Sequence, residues 1–156
     1  MKRLVRSIVA LALLLPIHAA GRTTALASAP DEIGKARAAT ARYQNIAEAE
    51  ADGYISIGFC EPGEGCHWLN PALVDGTFDP DHPEILLYVP VGDRMRLVAV
   101  EYVIPLGLSA ETPEGFTGAD DTWRADTEGA GLWELTAWIW LHNPAGMFEQ
   151  HNPRLQ

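Results

Sequence analysis

Basic side chains are scarce in this sequence. Eleven Lys and Arg stand against 21 Asp and Glu, a formal charge of −10 over 156 residues. Such a surface repels phosphate backbones, so no nucleic-acid partner is expected. Long apolar runs are also missing. The stretch Ile8–Leu15 is broken by Pro16 and falls well short of the roughly 20 residues that cross a bilayer. No stable membrane span is expected in the mature chain. Gly-x-Ser-x-Gly, P-loop and dinucleotide fingerprints are absent, which removes the usual serine hydrolases and nucleotide enzymes. The acidic stretch Asp75–Glu84 lacks the spacing of an EF-hand and reads as a solvated turn. Cysteine is limited to Cys60 and Cys66.

What is present begins with a targeting pattern. Lys2, Arg3 and Arg6 precede the Ile8–Leu15 run, and Ala25-Leu26-Ala27 offers a small-residue cleavage site. Residues 1–27 are therefore expected to be a signal peptide, which makes the protein periplasmic or extracellular. Losing Lys2, Arg3, Arg6 and Arg22, with no acid among those residues, takes the charge from −10 to about −14. Residues 28–156 are expected to form a single globular domain. The 47% hydrophobic content of the full sequence argues against disorder, and its 14 glycines and 11 prolines imply many turns.

The pattern along the chain predicts an α+β fold, with an N-terminal helix packed on a mainly antiparallel sheet. Residues 31–52 read as one helix capped by Asp31 and stopped by Gly53, with Ile33, Ala36, Thr40, Tyr43, Ala47 and Ala51 inward. Ile85–Val89 and Met95–Ile104 read as a hairpin around Gly92-Asp93. Alternation puts Leu97, Ala99, Glu101 and Val103 on one face and Val98, Val100, Tyr102 and Ile104 on the other. Residues 106–131 read as a long irregular loop, a lid over one end of the sheet. Leu132–Leu141 returns to strand, with Glu134, Thr136, Trp138 and Trp140 on one face. The five tryptophans read as core and sheet surface, with a sugar or apolar groove as the alternative.

The candidate chemistry centres on Cys60–Pro71. An exported cysteine pair this close in sequence is expected to close a disulfide, shaping the loop more than stabilising the chain. The alternative is two thiolates with His67 on zinc or copper. Glu101 is a carboxylate in an apolar strand, so its face is exposed or it is buried with a partner. His67 and Glu101 are ordinary ligands for a divalent transition metal (zinc, copper or iron) and an ordinary acid–base pair. As a lone residue, His67 also fits a structural, hydrogen-bonded histidine.

Several segments together resemble a family of small, mostly uncharacterised exported proteins. They are Ala39–Tyr43, Asp52–Tyr54, Gly65-Cys66-His67-Trp68-Leu69-Asn70-Pro71, Pro83–Tyr88, Leu97–Tyr102, Trp138–Trp140, Asn143–Phe148 and Asn152-Pro153. The resemblance runs over most of the mature chain except the 106–131 loop. The family pattern reads Met-Gly-x-His-Tyr, Val-Glu-Tyr and Leu-His-x-Trp, which implies two histidines and a glutamate around a metal. This chain keeps His67 and Glu101, but has Thr136 at the second histidine and Glu64 at the methionine. The resemblance brings no assigned reaction. The remaining ligand candidates are Glu64, Glu134, Thr136, His142 and His151. The expected function is binding of a metal ion or small molecule through His67 and Glu101. The alternatives are a metal-dependent or acid–base enzyme at the same residues, and a metal-free interaction module.

Overall fold

The computed structural model describes residues 31–155. The expected signal peptide, residues 1–27, lies outside them. Helix α1 spans Glu32–Thr40, a 3-10 turn covers Ala41–Gln44, and α2 spans Ile46–Ala51. Asp31 caps α1 by accepting from Gly34 N, and Gly53 follows α2 with φ 98°, as the sequence predicts. The single helix expected over 31–52 is nevertheless interrupted. The Tyr43 carbonyl accepts from the Tyr88 hydroxyl at 2.6 Å. Asn45 is extended and caps α2 by accepting from Ala47 N. The interruption shifts the helical phase. Ile46 and Ala49 join the core beside Ala36, whereas Ala47 and Ala51, expected inward, are exposed.

Six antiparallel strands form one sheet. They are β1 (Ile55–Glu61), β2 (Gly65–Leu69), β3 (Ile85–Val91), β4 (Arg94–Pro105), β5 (Arg124–Asp126) and β6 (Leu132–Ala137). Their order is β1-β2-β3-β4-β6-β5. The α+β class follows from this sheet and the short helices on it. The expected hairpin is β3–β4. Strand β5 corrects the expectation of an irregular lid over 106–131. Arg124 and Asp126 pair with Glu134 and Leu132 of β6, and Phe116 and Trp123 from the same stretch are core residues.

A bulge in β4 decides which residues share a face. Leu87 pairs with Ala99, but Tyr88 pairs with Leu97, so Val98 is the extra residue. The alternation expected from sequence therefore holds from Ala99 to Ile104 and fails before it. Leu97 joins the Tyr88 and Tyr102 side, and Val98 joins Ala99 and Val103. The Val98 carbonyl accepts from both Trp140 N and Leu141 N. That contact ends β6 at Ala137, short of the expected Leu141. Beyond it, Trp140 packs with the helix-side cluster, away from Trp138.

The two faces of the sheet differ. The helices, Phe116, Trp123 and Phe148 cover one face, over Leu86, Tyr88, Val100, Tyr102 and Leu135. The opposite face holds a smaller cluster of Ile85, Leu87, Val98, Ala99, Val103 and Trp138. Glu101 belongs to this second face, because β-strand side chains alternate and Ala99 and Val103 flank it there. Among the described residues no helix is long and apolar enough to cross a membrane.

Candidate functional site

The Cys60–Cys66 segment is the turn of the β1–β2 hairpin, closed by a Cys60–Cys66 disulfide between directly paired residues. With both sulfurs bonded to each other, the two-thiolate metal site is overturned. Glu64 N donates to Glu61 O, closing the turn. Gly65 has φ 105°, and a Cβ there would sit 2.7 Å from the Tyr88 carbonyl oxygen. Only glycine lets β2 reach β3 at that point. The C-terminal tail braces the turn from outside, with Asn152 N donating to Gly63 O at 2.7 Å and Gly63 N to Leu155 O at 3.3 Å.

This hairpin carries His67 onto the second face of the sheet. His67 pairs with Leu87, and Glu101 pairs with Ile85 on one side and Thr136 on the other. The two residues, far apart in sequence, converge. His67 Nε2 lies 3.5 Å from Glu101 Oε2 and 3.6 Å from Glu64 Oε2. All three residues are buried, at 5%, 5% and 4% exposure. The Thr136 hydroxyl donates to Glu101 Oε1 across a long 3.5 Å. Phe59 stands beside the imidazole, with ring centroids 5.0 Å apart.

Burial sets the protonation pattern. Loss of solvent pushes the Glu101 carboxyl up to about 8, reinforced by Glu134 and Glu64. Burial also raises Glu64, with Glu61 adding to the effect, and raises Glu134, with Asp126 adding. The imidazole moves the other way. Burial holds His67 below its ordinary value, opposed in part by backbone groups of Phe59 and Gly65 that give Nδ1 no well-formed hydrogen bond. At neutral pH His67 is therefore neutral while Glu101 keeps most of its proton.

These residues border an open cleft of about 610 Å³, within the range of small-molecule sites. It runs across the sheet from Ile57 and Phe59 on β1 to Arg124 and Ala125 on β5, with Ile85 and Leu132 among its apolar borders. Ile57 and Phe59 are 46% and 49% exposed, and β1 loses its regular pairing between Ser56 and Cys60. A second hollow beside α1 and a third beside the disulfide lack such a group of buried polar side chains.

Among the other sequence candidates, Glu134 borders the same cleft. His151 is exposed, yet its Nε2 lies 3.4 Å from Glu64 Oε1. His142 is exposed and does not border the cleft. Trp68, Trp123 and Trp138 are buried in the core, and no tryptophan borders the cleft. Sequence reasoning missed Arg124, because it sat inside the supposed loop. The alternation Trp123-Arg124-Ala125-Asp126 is a faint strand signal there. It also misread Glu84 as part of a solvated turn. Glu84 is buried at 2%, and its Oε2 accepts from Val103 N.

No protein-family model, curated protein or solved structure matches this chain. The likeness to small exported proteins rests on the motifs alone. The metal implied by that likeness fits the residues poorly. Among the described residues no group of three or more His, Cys, Asp and Glu is arranged to hold a metal ion. Thr136 occupies the second histidine's place and spends its hydroxyl on Glu101. A metal-bound histidine normally donates its other ring N–H to an acceptor, whereas His67 Nδ1 is buried with no hydrogen-bond partner.

Proposed function

We propose that this protein is an exported domain that binds a small organic molecule in the β1–β5 cleft, holding its polar end at His67 and Glu101. One observation carries the proposal: His67 Nε2 meets Glu101 Oε2 and Glu64 Oε2 at 3.5 and 3.6 Å, on the border of a cleft with apolar walls. A group of buried polar side chains that adds nothing to the core is costly to keep. A ligand supplying the missing hydrogen bonds offsets that cost. The disulfide and the N-terminal pattern support export, and the acid excess supports a partner other than nucleic acid.

The protonation pattern also favours a second possibility, an acid–base enzyme at the same residues. A neutral imidazole beside a protonated carboxyl pairs a proton acceptor with a donor, and pKa values moved this way are a usual mark of such sites. His67 would accept a proton and Glu101 would orient it or return one.

A thermal-shift screen of small organic compounds tests the binding proposal. Compounds that raise the melting temperature of the wild type are expected to lose their effect on His67→Ala. Hits that stabilise His67→Ala equally contradict it. Metal content of the purified protein separates the remaining possibility. Zinc, copper or iron retained by the wild type and absent from His67→Ala would replace the organic ligand with a metal.

A further inference from the structure

The class of ligand follows from the cleft's charge and its unpaired atoms, and rests on the binding proposal above. Among the described residues, Glu61, Glu64, Glu101, Asp126 and Glu134 border the cleft, and Arg124 is its only guanidinium. No ion pair within the described residues involves Arg124. His67 adds no reliable positive charge, since burial keeps the imidazole neutral. With Glu101 mostly protonated, Glu61, Glu64, Asp126 and Glu134 against the single Arg124 still leave the field inside negative, and low-dielectric walls concentrate it.

A second observation points to a ligand independently of the charge. Glu64 is 4% exposed, and its Oε1 is buried with no hydrogen-bond partner. The His151 ring nitrogen, 3.4 Å away, does not complete a hydrogen bond. Leaving a buried acceptor open is costly, and a donor arriving from outside would close it. An ammonium head brings three N–H donors and a positive charge together. An alcohol brings one donor and no charge, and a carboxylate brings neither. Beside these acids stand the exposed Phe59 and Ile57. They give nothing to a hydrated ion, but they can cover a hydrocarbon body, and an aromatic face also attracts a cation.

We propose that the cleft binds an organic ammonium ion, with the amine head between Glu64 and Glu101 and an apolar body laid along Phe59 and Ile57.

Calorimetric titration with hexylammonium, hexanol and hexanoate tests this on the wild-type protein, because the three share a chain and differ in the head. Hexylammonium is expected to bind at least about tenfold more tightly than hexanol, with no measurable binding of hexanoate. Glu64→Gln should weaken hexylammonium and leave hexanol unchanged. Arg124→Ala should tighten hexylammonium by removing the competing cation, an effect that damage to the fold would not produce. Equal or tighter binding of hexanol or hexanoate overturns the ammonium assignment and leaves the cleft as a ligand site. Binding of none of the three overturns the ammonium assignment, and the compound screen then decides on the cleft separately. Displacement of hexylammonium by equimolar zinc or calcium would reassign the acids to a metal ion.

Discussion

The two faces of the sheet handle their buried polar groups differently, although the helix-covered face also leaves the Trp68 and Trp123 indole N–H groups without a partner. On the helix-covered side the tyrosine hydroxyls are all spoken for: Tyr54 donates to the Pro83 carbonyl, Tyr88 to Tyr43 and Tyr102 to Pro80. Trp140 Nε1 donates to the Thr40 hydroxyl, which donates in turn to the Ala36 carbonyl. On the other side Glu64 Oε1 and His67 Nδ1 have no partner, and Glu101 has one long hydrogen bond. Two buried glutamates make the contrast concrete. Glu84 accepts a backbone N–H from β4, whereas Glu101 faces an imidazole and a cleft. Hydrogen bonds closed within the chain stabilise a fold. Those left open beside a cleft mark a place for something else.

Substitutions on the closed face should have the largest effects. Tyr102 is fully buried and packs edge-on against Phe78 and Phe116. Tyr102→Ala should cost about 3–5 kcal/mol in urea unfolding, while Glu134→Gln on the open face should stay within about 0.5 kcal/mol at pH 7. Equal losses at the two sites would erase the distinction between the faces.

The next effect is on pH dependence. Burial holds the Glu84 carboxyl up at about 7, against an ordinary 4.5. Between those values the folded protein binds more protons than the unfolded chain, so stability falls as pH rises through that window. The full loss approaches about 3 kcal/mol by pH 8. Glu101, raised to about 8 for the same first reason, extends the decline upward by another pH unit. Unfolding measured from pH 4.5 to 9 should slope downward, and Glu84→Gln should flatten its lower half. A rise in stability over that range would contradict the burial of both carboxyls.

The disulfide comes third. The sequence separation of its cysteines is 6, and loop-closure entropy for so short a ring gives about 2 kcal/mol. Cys60→Ser combined with Cys66→Ser should lower stability by about that amount and shift the His67 ring resonances. The Tyr88 and Tyr102 environments should stay unchanged. Glu101→Gln is expected to change stability little near pH 4.5. The amide mimics the protonated carboxyl that the fold keeps while the unfolded chain ionises, so the variant should gain on the wild type as pH rises from about 4.5 to about 8.

Much of this was legible in the sequence, and the misses have physical causes. The β3–β4 hairpin announces itself through apolar strands around Gly92-Asp93. The helix caps at Asp31 and Gly53 follow from side-chain acceptors and positive φ. The bulge at Val98 carries no such mark, because one extra residue in an apolar run flips the phase without changing the composition. The interruption near Asn45 depends on a distant hydroxyl, that of Tyr88, reaching the Tyr43 carbonyl. At the site, His67 and Glu101 stood out because each carries chemistry in an apolar setting, and Glu64 stood out as a departure from the family pattern. Glu84 was hidden among exposed acids, and nothing local distinguishes it from Asp79 or Asp81. The convergence of β2, β4 and the tail is a property of strand order, which one-dimensional spacing does not encode.

The central claim is that the open face, through Glu64, His67 and Glu101, is where a ligand binds. Titrating hexylammonium into uniformly 15N-labelled protein and following the backbone amide resonances tests it most directly. Saturable shifts are expected at Phe59, Glu64, His67, Glu101 and Ala125, with Ala49, Tyr88 and Val100 on the covered face left still. Saturable shifts confined to the hollow beside α1, around Tyr43, Asp52 and Asn70, would contradict it.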